Sequence, residues 1–402
     1  MALIVKKFGG TSVKDAERIK HVAKIITDDY KKGNDIVVIV SAQGDTTDDL
    51  IEKAAELSSD PSARELDMLL SAGEQISCSL LAMAISDMGY NAVSLLGWQA
   101  GFKTDSNYGS ARIKELEAER VKAELSKNNI VVIAGFQGIN KYDDITTLGR
   151  GGSDTSAVAV AAALKADLCQ IYTDVDGVYT ADPRKVKNAQ KIKEIAYTEM
   201  LELATLGAQV LNNRSVEMAS KYGVELEVLS SIEDKPGTIV KEKVNMEKIL
   251  VRGVACDKNV ARFSIIGLQD TPGIAFKVFN ELAKQKVNVD IILQSVGRDG
   301  TKDISFTVPK DQEKTAQKAI EELKSLLQFK TFETDDSVAK LSIVGAGMET
   351  HHGVAAKMFE ALYDANINIQ MISTSEIRVS VLIALSDTDR AFNAVHDAFF
   401  EK

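Results

Sequence analysis

Along roughly the first 230 residues, nearly unbroken apolar runs alternate with longer stretches whose apolar residues recur at helical spacing. The short runs fall at 3–8, 35–41, 92–96, 130–134, 168–173 and 225–230, and the helical patterns at 15–31, 63–88, 112–128 and 154–165. Short runs apolar on both faces predict strands covered from both sides, and the alternation predicts βαβ units around a mostly parallel sheet sandwiched by helices. Several runs lead into small or glycine-rich loops: Gly9-Gly10-Thr11-Ser12, Ser41-Ala42-Gln43-Gly44 and Gly135-Phe136-Gln137-Gly138. Ligand loops in such sheets gather at the carboxyl ends of strands, so these three are expected to line one crevice.

The pattern changes at 231–245, where Glu233-Asp234-Lys235-Pro236-Gly237-Thr238 makes a turn and Lys241-Glu242-Lys243 a solvated charge run. Beyond this boundary the chain repeats itself. Ala261-Arg262-Phe263-Ser264-Ile265-Ile266-Gly267 reappears as Ala339-Lys340-Leu341-Ser342-Ile343-Val344-Gly345. In each copy there follow a glycine (Gly273, Gly353), a helical Lys-x-Phe, an extended stretch near 287–290 or 367–370, a strand (303–308, 378–384) and a helix. Two βαββαβ units are predicted.

Composition narrows the class. At 402 residues the chain exceeds the roughly 250–300 at which one core stops growing, so two or three domains are expected. Forty-eight basic against 58 acidic side chains, net charge −10, leave no drive toward a phosphate backbone, and nucleic acid is not an expected partner. Cys78, Cys169 and Cys256 are scattered and odd in number, which predicts neither disulfide framework nor zinc knuckle. The apolar start is too short for a signal segment and no stretch reads as the ~18 residues that span a bilayer, so a cytoplasmic protein with no membrane partner is expected. His21, His351, His352 and His396 supply nothing resembling a catalytic triad or paired-histidine metal site.

Three segments could carry chemistry. Lys7-Phe8-Gly9-Gly10-Thr11-Ser12 leaves a strand and precedes a helix; its glycines could turn amides inward as an anion nest beside Lys7, or could serve a purely steric turn. The chain holds neither a P-loop nor a dinucleotide fingerprint. Thr147-Leu148-Gly149-Arg150-Gly151-Gly152-Ser153-Asp154-Thr155 sets three glycines, a guanidinium, an N-cap serine and a first-turn aspartate before an apolar helix. Free amides there attract an anion, and Arg150 adds a two-pronged fork for carboxylate or phosphate. Thr173-Asp174-Val175-Asp176-Gly177-Val178-Tyr179-Thr180-Ala181-Asp182-Pro183-Arg184 follows a strand; local Asx-turn chemistry accounts for it, as does a nucleotide loop in which Tyr179 stacks on a base. Glu74 reads as an acid near a helix start, favoured there by the dipole.

With these residues in view, the chain resembles the aspartate kinases over essentially its full length, particularly the compact bacterial form controlled by lysine or threonine. The resemblance rests on Lys7-Phe8-Gly9-Gly10-Thr11-Ser12, Met68-Leu69-Leu70-Ser71-Ala72-Gly73-Glu74, Thr146 through Asp154, and Thr173 through Arg184, in that order. It implies an α/β amino-acid-kinase fold over 1–245, followed by two ferredoxin-like ACT modules at 246–335 and 336–402, with strand 249–255 joining the second. It implies ATP with Mg2+ carried on the phosphates and no protein metal ligand, L-aspartate as acceptor, lysine and/or threonine as effectors, and a homo-oligomer, dimer or tetramer, built through the modules.

Carried onto this sequence, the resemblance makes Lys7 and Asp154 catalytic. Lys7, Phe8, Gly9, Gly10, Ser41, Thr173, Asp174, Tyr179, Arg184 and Lys235 would meet the nucleotide. Thr47, Glu74, Arg150, Gly151, Gly152 and Ser153 would form the aspartate site, Arg150 on the α-carboxylate and Glu74 on the α-ammonium. Effectors would meet Asp270, Pro272, Gly273, Ala275, Asn288, Asp290 and Gln294 in the first module, and Met348, His352, Gly353, Val354, Asn368, Ile369 and Thr374 in the second. A β-carboxylate is already ionised at neutral pH, so no general base is needed, which accords with the lack of histidine chemistry. Leu211-Asn212-Asn213-Arg214-Ser215 stands where many relatives carry Leu-His-Pro-Arg, Gln43 replaces a commoner methionine, and His352 a commoner proline. Competing readings are another amino-acid kinase, acting on glutamate, a carbamate or a nucleotide, and a non-catalytic amino-acid sensor.

Overall fold

The computed structural model describes residues 2–207, 210–244, 250–295, 300–324, 326–349 and 351–401. Positions 245–249, where the expected boundary between 245 and 246 falls, lie outside the described residues. The chain forms two compact units: Met1–Tyr179 with Lys191–Thr205 and Gln209–Asn245, and Thr180–Gln190 with Leu206–Ala208 and Met246–Lys402.

The first unit is built on an eight-stranded sheet. Its order is Glu194–Ala196, Thr238–Lys241, Leu226–Ser230, Leu168–Thr173, Leu3–Phe8, Asp35–Val40, Ile130–Ala134 and Ala92–Leu95. Neighbours run parallel except where Thr238–Lys241 turns back against Leu226–Ser230. The six predicted strands are all present within a residue of their expected bounds. Val5, Val37, Ile39, Val131 and Ile133 are fully buried, and so are the alternate residues Phe8, Ile36, Val38 and Val132, as a sheet covered on both faces requires. On one face Phe8, Val38, Val132 and Ile130 meet Val22 and Ile26 of helix Ala16–Lys31 and Leu81 and Ile85 of helix Ala63–Asp87. Asp15 starts the first of these helices by accepting from the Arg18 amide at 2.9 Å.

Two expectations change. The 112–128 stretch is a strand, Ile113–Leu116, then a short helix, Glu119–Leu125; the strand completes a small sheet with Phe102–Thr104, Gln137–Ile139 and Ile145–Thr147. Helix Ala63–Asp87 is long and apolar enough by composition to cross a membrane, contrary to the expectation that nothing is, yet half of its apolar window is buried within the protein. Its apolarity serves core packing.

In the second unit the repeat resolves into two four-stranded antiparallel sheets. The first has the order Ile292–Gln294, Thr301–Val308, Ala261–Gln269, Thr331–Asp335, and its core holds Phe263, Phe306, Val278 and Ile320. The second has the order Gly253–Asp257, Val338–Val344, Arg378–Ala384, Met371–Thr374, and its core holds Leu341, Val381, Met358 and Phe392. Its outer strand therefore comes from before the first module, Val254 pairing with Ile343. This agrees with the expected borrowed strand, shifted from 249–255 to Gly253–Asp257. Ala181 and Val186 from the Thr180–Gln190 segment enter the same core, and Thr180 Oγ1 lies 2.9 Å from Nε2 of buried His396.

Because the two module cores share no residue, truncations in them should act independently. Phe306→Ala and Phe392→Ala should each cost about 3–5 kcal/mol, and the double variant their sum within ~0.5 kcal/mol, in urea unfolding followed by circular dichroism.

Candidate active site

Strand Leu3–Phe8 ends in Lys7 and Phe8 and passes into Gly9 and Gly10, and helix Gly152–Leu164 packs beside it. Lys7 Nζ lies 2.7 Å from Asp154 Oδ1, with both side chains largely buried. Apart from this ion pair, no hydrogen bond reaches that buried oxygen. Neither Gly9 nor Gly10 has a positive φ, and they lead into a single 3-10 turn, Gly10–Val13. The glycine requirement is one of close approach: a Cβ on Gly10 would sit 2.6 Å from the Ala42 carbonyl oxygen. Phe8 is not available as a side chain, being fully buried and stacked on Tyr172 at 4.5 Å; only its backbone borders the crevice, its carbonyl accepting from the Ser41 amide at 3.1 Å.

Glu74 is not a helix-start acid. It lies in the middle of Ala63–Asp87 and is 3% exposed. Gly73 permits this, since a Cβ there would come within 2.7 Å of the Ala42 side chain; the contact draws the helix onto the 42–46 loop, and Glu74 Oε1 accepts from the Ala42 amide at 3.1 Å. Glu74 Oε2 is buried without a hydrogen bond, and burial raises the carboxyl to about 7. Such a group is held ready for a cation. Thr47 sits half-buried in the first turn of helix Thr46–Leu57, which belongs to the same loop cluster.

The glycine-arginine loop also departs in detail. Gly151, at φ 69°, caps the helix; Ser153 is inside the first turn, buried, and not the cap. No side chain caps that end. Arg150 is exposed, and Gly152 and Gly135 allow close packing, a Cβ on Gly135 coming 2.9 Å from Ser153. The structure thus brings Lys7, Asp154, Gly10, Ser41 and Glu74 together through the Ala42 backbone and the helix start.

The residues expected at the nucleotide are less uniformly placed. Thr173 and Asp174 share a 3.0 Å hydrogen bond at a strand end. Tyr179 donates to Asp176 Oδ1 at 2.8 Å, and burial followed by that carboxylate pushes its hydroxyl up to about 12. Lys235 is exposed and pairs with Glu233 at 2.5 Å. Arg184 belongs to the second unit, where it is largely exposed and pairs with Asp182 at 3.0 Å. Asp67 was missed by sequence reasoning. It is 1% exposed and accepts from the Gly109 and Thr147 amides at 2.9 Å and from Thr147 Oγ1 at 2.6 Å, tying the long helix to the base of the Arg150 loop. An acid inside an apolar helical stretch was the available signal.

In the modules, Gly273 and Gly353, at φ 86° and 89°, start helices Ile274–Lys284 and Val354–Asp364 with no side-chain cap. The first start borders an open cleft of about 620 Å³ lined by Asp270, Pro272, Gly273, Ala275, Phe276 and Lys302, with Asp270 and Lys302 paired at 2.7 Å. Asp290 is exposed and pairs with Lys340, whereas the Val354 side chain is buried in the second module's core. Met348, Ala275 and Ile369 are partly buried against the cores, while Pro272, Asn288, Gln294, His352, Asn368 and Thr374 are exposed.

An amino-acid-kinase sheet carrying this crevice, joined to paired ACT modules, is the class that fold and site define. The amino acid kinase family matches residues 2–230, and ACT domains match 264–328 and 341–399. An aspartokinase of Bacillus sp. (strain MGA3) is 50% identical over 400 residues, covering 99% of this chain and 97% of that one. Among solved structures, E. coli aspartokinase III with aspartate and ADP (R-state) superposes with a TM-score of 0.84 at 26% identity, covering 99% of this chain and 100% of that one. The same enzyme with lysine and aspartate (T-state) gives 0.76 at the same identity and coverage. The chain belongs to the aspartokinases.

Glu74 supplies a pH signature. The folded state keeps its proton up to about 7, whereas the unfolded chain releases it near 4.5, so rising pH between these values favours unfolding. Wild type should lose on the order of 2 kcal/mol of first-unit stability between pH 5 and pH 7 that Glu74→Gln keeps. Urea titrations at both pH values check this, and identical pH responses would refute the buried carboxyl.

Proposed function

We propose that this chain transfers the γ-phosphoryl group of ATP to the β-carboxylate of L-aspartate, giving 4-phospho-L-aspartate, with end-product amino acids acting at the ACT modules. The Lys7–Asp154 pair at the uncapped start of helix Gly152–Leu164 carries this reading. Two anions must be brought into line there, and a cation with free amides is what that task requires. Lys7, the Gly9-Gly10 backbone and Ser41 hold the phosphates, with Thr173, Asp174, Tyr179 and Lys235 toward the rest of the nucleotide. Arg150 forks onto the α-carboxylate; Glu74, on losing its proton, pairs the α-ammonium; Thr47 and the 151–153 backbone complete the pocket. The β-carboxylate attacks in line without a base, and Lys7 swings its charge from Asp154 toward the transferring oxygens.

Mg2+ carried on the phosphates would add charge neutralisation. The residues fit it: the buried Asp154 carboxylate, whose Oδ1 is paired only with Lys7, is an oxygen donor beside the phosphate loop that would favour a hydrated cation there once Lys7 turns to the phosphates. The division into 1–245, 246–335 and 336–402, a cytoplasmic location and a homo-oligomer paired through exposed module edges such as Ile292–Gln294 belong to the same reading. Lysine is bound in a structure of E. coli aspartokinase III; here lysine and/or threonine would place a carboxylate on the amides after Gly273 or Gly353 and an ammonium near Asp270.

A coupled ATP/aspartate assay tests the whole. Lys7→Ala should lower kcat by about 10²–10³-fold while KM for aspartate moves only a few-fold; a variant turning over at the wild-type rate removes Lys7 from the mechanism, and turnover of glutamate without aspartate replaces the substrate. Titrating the same assay with lysine, threonine and methionine should reveal inhibition, and Asp270→Ala should shift its midpoint by about tenfold or more with uninhibited kcat unchanged.

A further inference from the structure

Arg150 is exposed, flanked by glycines and without a side-chain partner among the described residues, so where it points is set by the backbone that carries it. The loop is fastened from behind by the start of helix Asn213–Tyr222, a segment to which the reaction assigns no part. Asn212 Nδ2 donates to the Arg150 carbonyl at 3.1 Å, and its Oδ1 caps its own helix by accepting from the Arg214 amide at 3.0 Å. A Cβ on Gly151 would lie 2.3–2.5 Å from the Asn212 side chain, so the two surfaces touch with no room between them. Arg214, half-buried, spends its guanidinium on two carbonyls: Nη1 reaches Leu148 at 3.0 Å and Nη2 reaches Ala111 at 2.9 Å. Ala111 in turn donates to Thr147 at 2.9 Å, and Asp67 grips Thr147 from the other side.

Thr147, Leu148 and Arg150 are thereby each bonded through the backbone to a neighbour outside the loop, and Gly151 packs directly on Asn212, while the Arg150 side chain is exposed. A guanidinium is the one side chain whose rigid fork spans two carbonyls at once. We infer that Asn212 and Arg214 are positioning residues for aspartate recognition: they hold the backbone from Leu148 to Gly151 so that the Arg150 guanidinium is aimed at the substrate's α-carboxylate. The inference rests on the assignment of Arg150 to that carboxylate. Neither residue touches substrate. Their effect is carried by loop geometry and falls on aspartate binding more than on turnover.

Kinetics of Arg150→Ala, Arg214→Ala, Arg214→Lys, Asn212→Ala and the Arg150→Ala/Arg214→Ala pair, in the full chain with L-aspartate and ATP varied separately, test it. Arg214→Ala should raise KM for aspartate by about tenfold with KM for ATP within twofold, Arg214→Lys should recover part of the loss because one ammonium cannot span both carbonyls, and Asn212→Ala should give about a threefold rise. The double variant should fall well short of the product of the two single losses, since most of what Arg214 holds in place is gone with the Arg150 side chain. Multiplicative losses in the double variant, an unchanged KM for aspartate in Arg214→Ala, or equal rises for both substrates overturn the positioning role while leaving Arg150 in place. If Arg150→Ala itself leaves KM for aspartate unchanged, the carboxylate assignment falls and the inference with it. Should Arg214→Ala fail to fold, Arg214→Lys and Asn212→Ala decide by the same split between the two KM values.

Discussion

Lys7 meets Asp154 because strand Leu3–Phe8 and helix Gly152–Leu164 are pressed together with almost no side-chain bulk between them, and most of the site is a consequence of that closeness. The helix is buried nearly all round and built of Ala, Val, Ser and Thr, so its axis can approach the sheet and its bare amides arrive at the strand end. The same economy of bulk recurs at Gly10 against Ala42, Gly73 against Ala42 and Gly135 against Ser153. Each contact draws a separate loop toward one point. Chemistry that depends on bringing two anions within bonding distance is served by backbone packed this tightly, because amides placed by packing need no reorganisation when charge appears.

The placement of charge follows the same economy. Lys7 has an acid beside it that can hold its ammonium before a phosphate arrives. Glu74 is buried with one oxygen unsatisfied, and desolvation keeps it protonated near neutrality. Binding an ammonium would reverse that preference, so stability given up by the empty fold is returned on ligation. Asp67 shows the contrasting case: equally buried, it is fully engaged with backbone and hydroxyl donors and acts as a fastener.

Legibility in the sequence tracked the physics of each feature. Buried strands such as 130–134 were visible because both faces are apolar, and the repeat was visible because each module needs the same strand and helix faces. The short strand Ile113–Leu116 was read as helix because, half-exposed, it lacks the apolar signature of the central sheet. Glu74 was misplaced on a helix start because single-sequence patterns do not reveal that Gly73 brings the middle of a long helix onto a loop. Gly10 was read through backbone conformation, whereas what it supplies is space. The partner of Asp290, Lys340, is remote in sequence, and the burial of Val354 follows from the apolar face of its own helix rather than from the loop before it. Asn212 drew notice only as a departure from a motif whose arginine Arg214 keeps, since a side chain bonded to backbone carbonyls far along the chain leaves no local pattern.

The strand Gly253–Asp257, which completes the second module, has a consequence for how the protein is made. It leaves the ribosome before any of the first module, and its partner Val338–Val344 follows some 80 residues later. At about 5–20 residues per second the earlier strand waits several seconds, during which the intervening module can form by itself from contiguous sequence. The second module then closes back across a finished neighbour, so during synthesis the two are interlocked in time as well as in space. An unpaired edge is exposed for that whole interval, and its brevity, five residues ending in Cys256 and Asp257, limits the wrong pairings it can make.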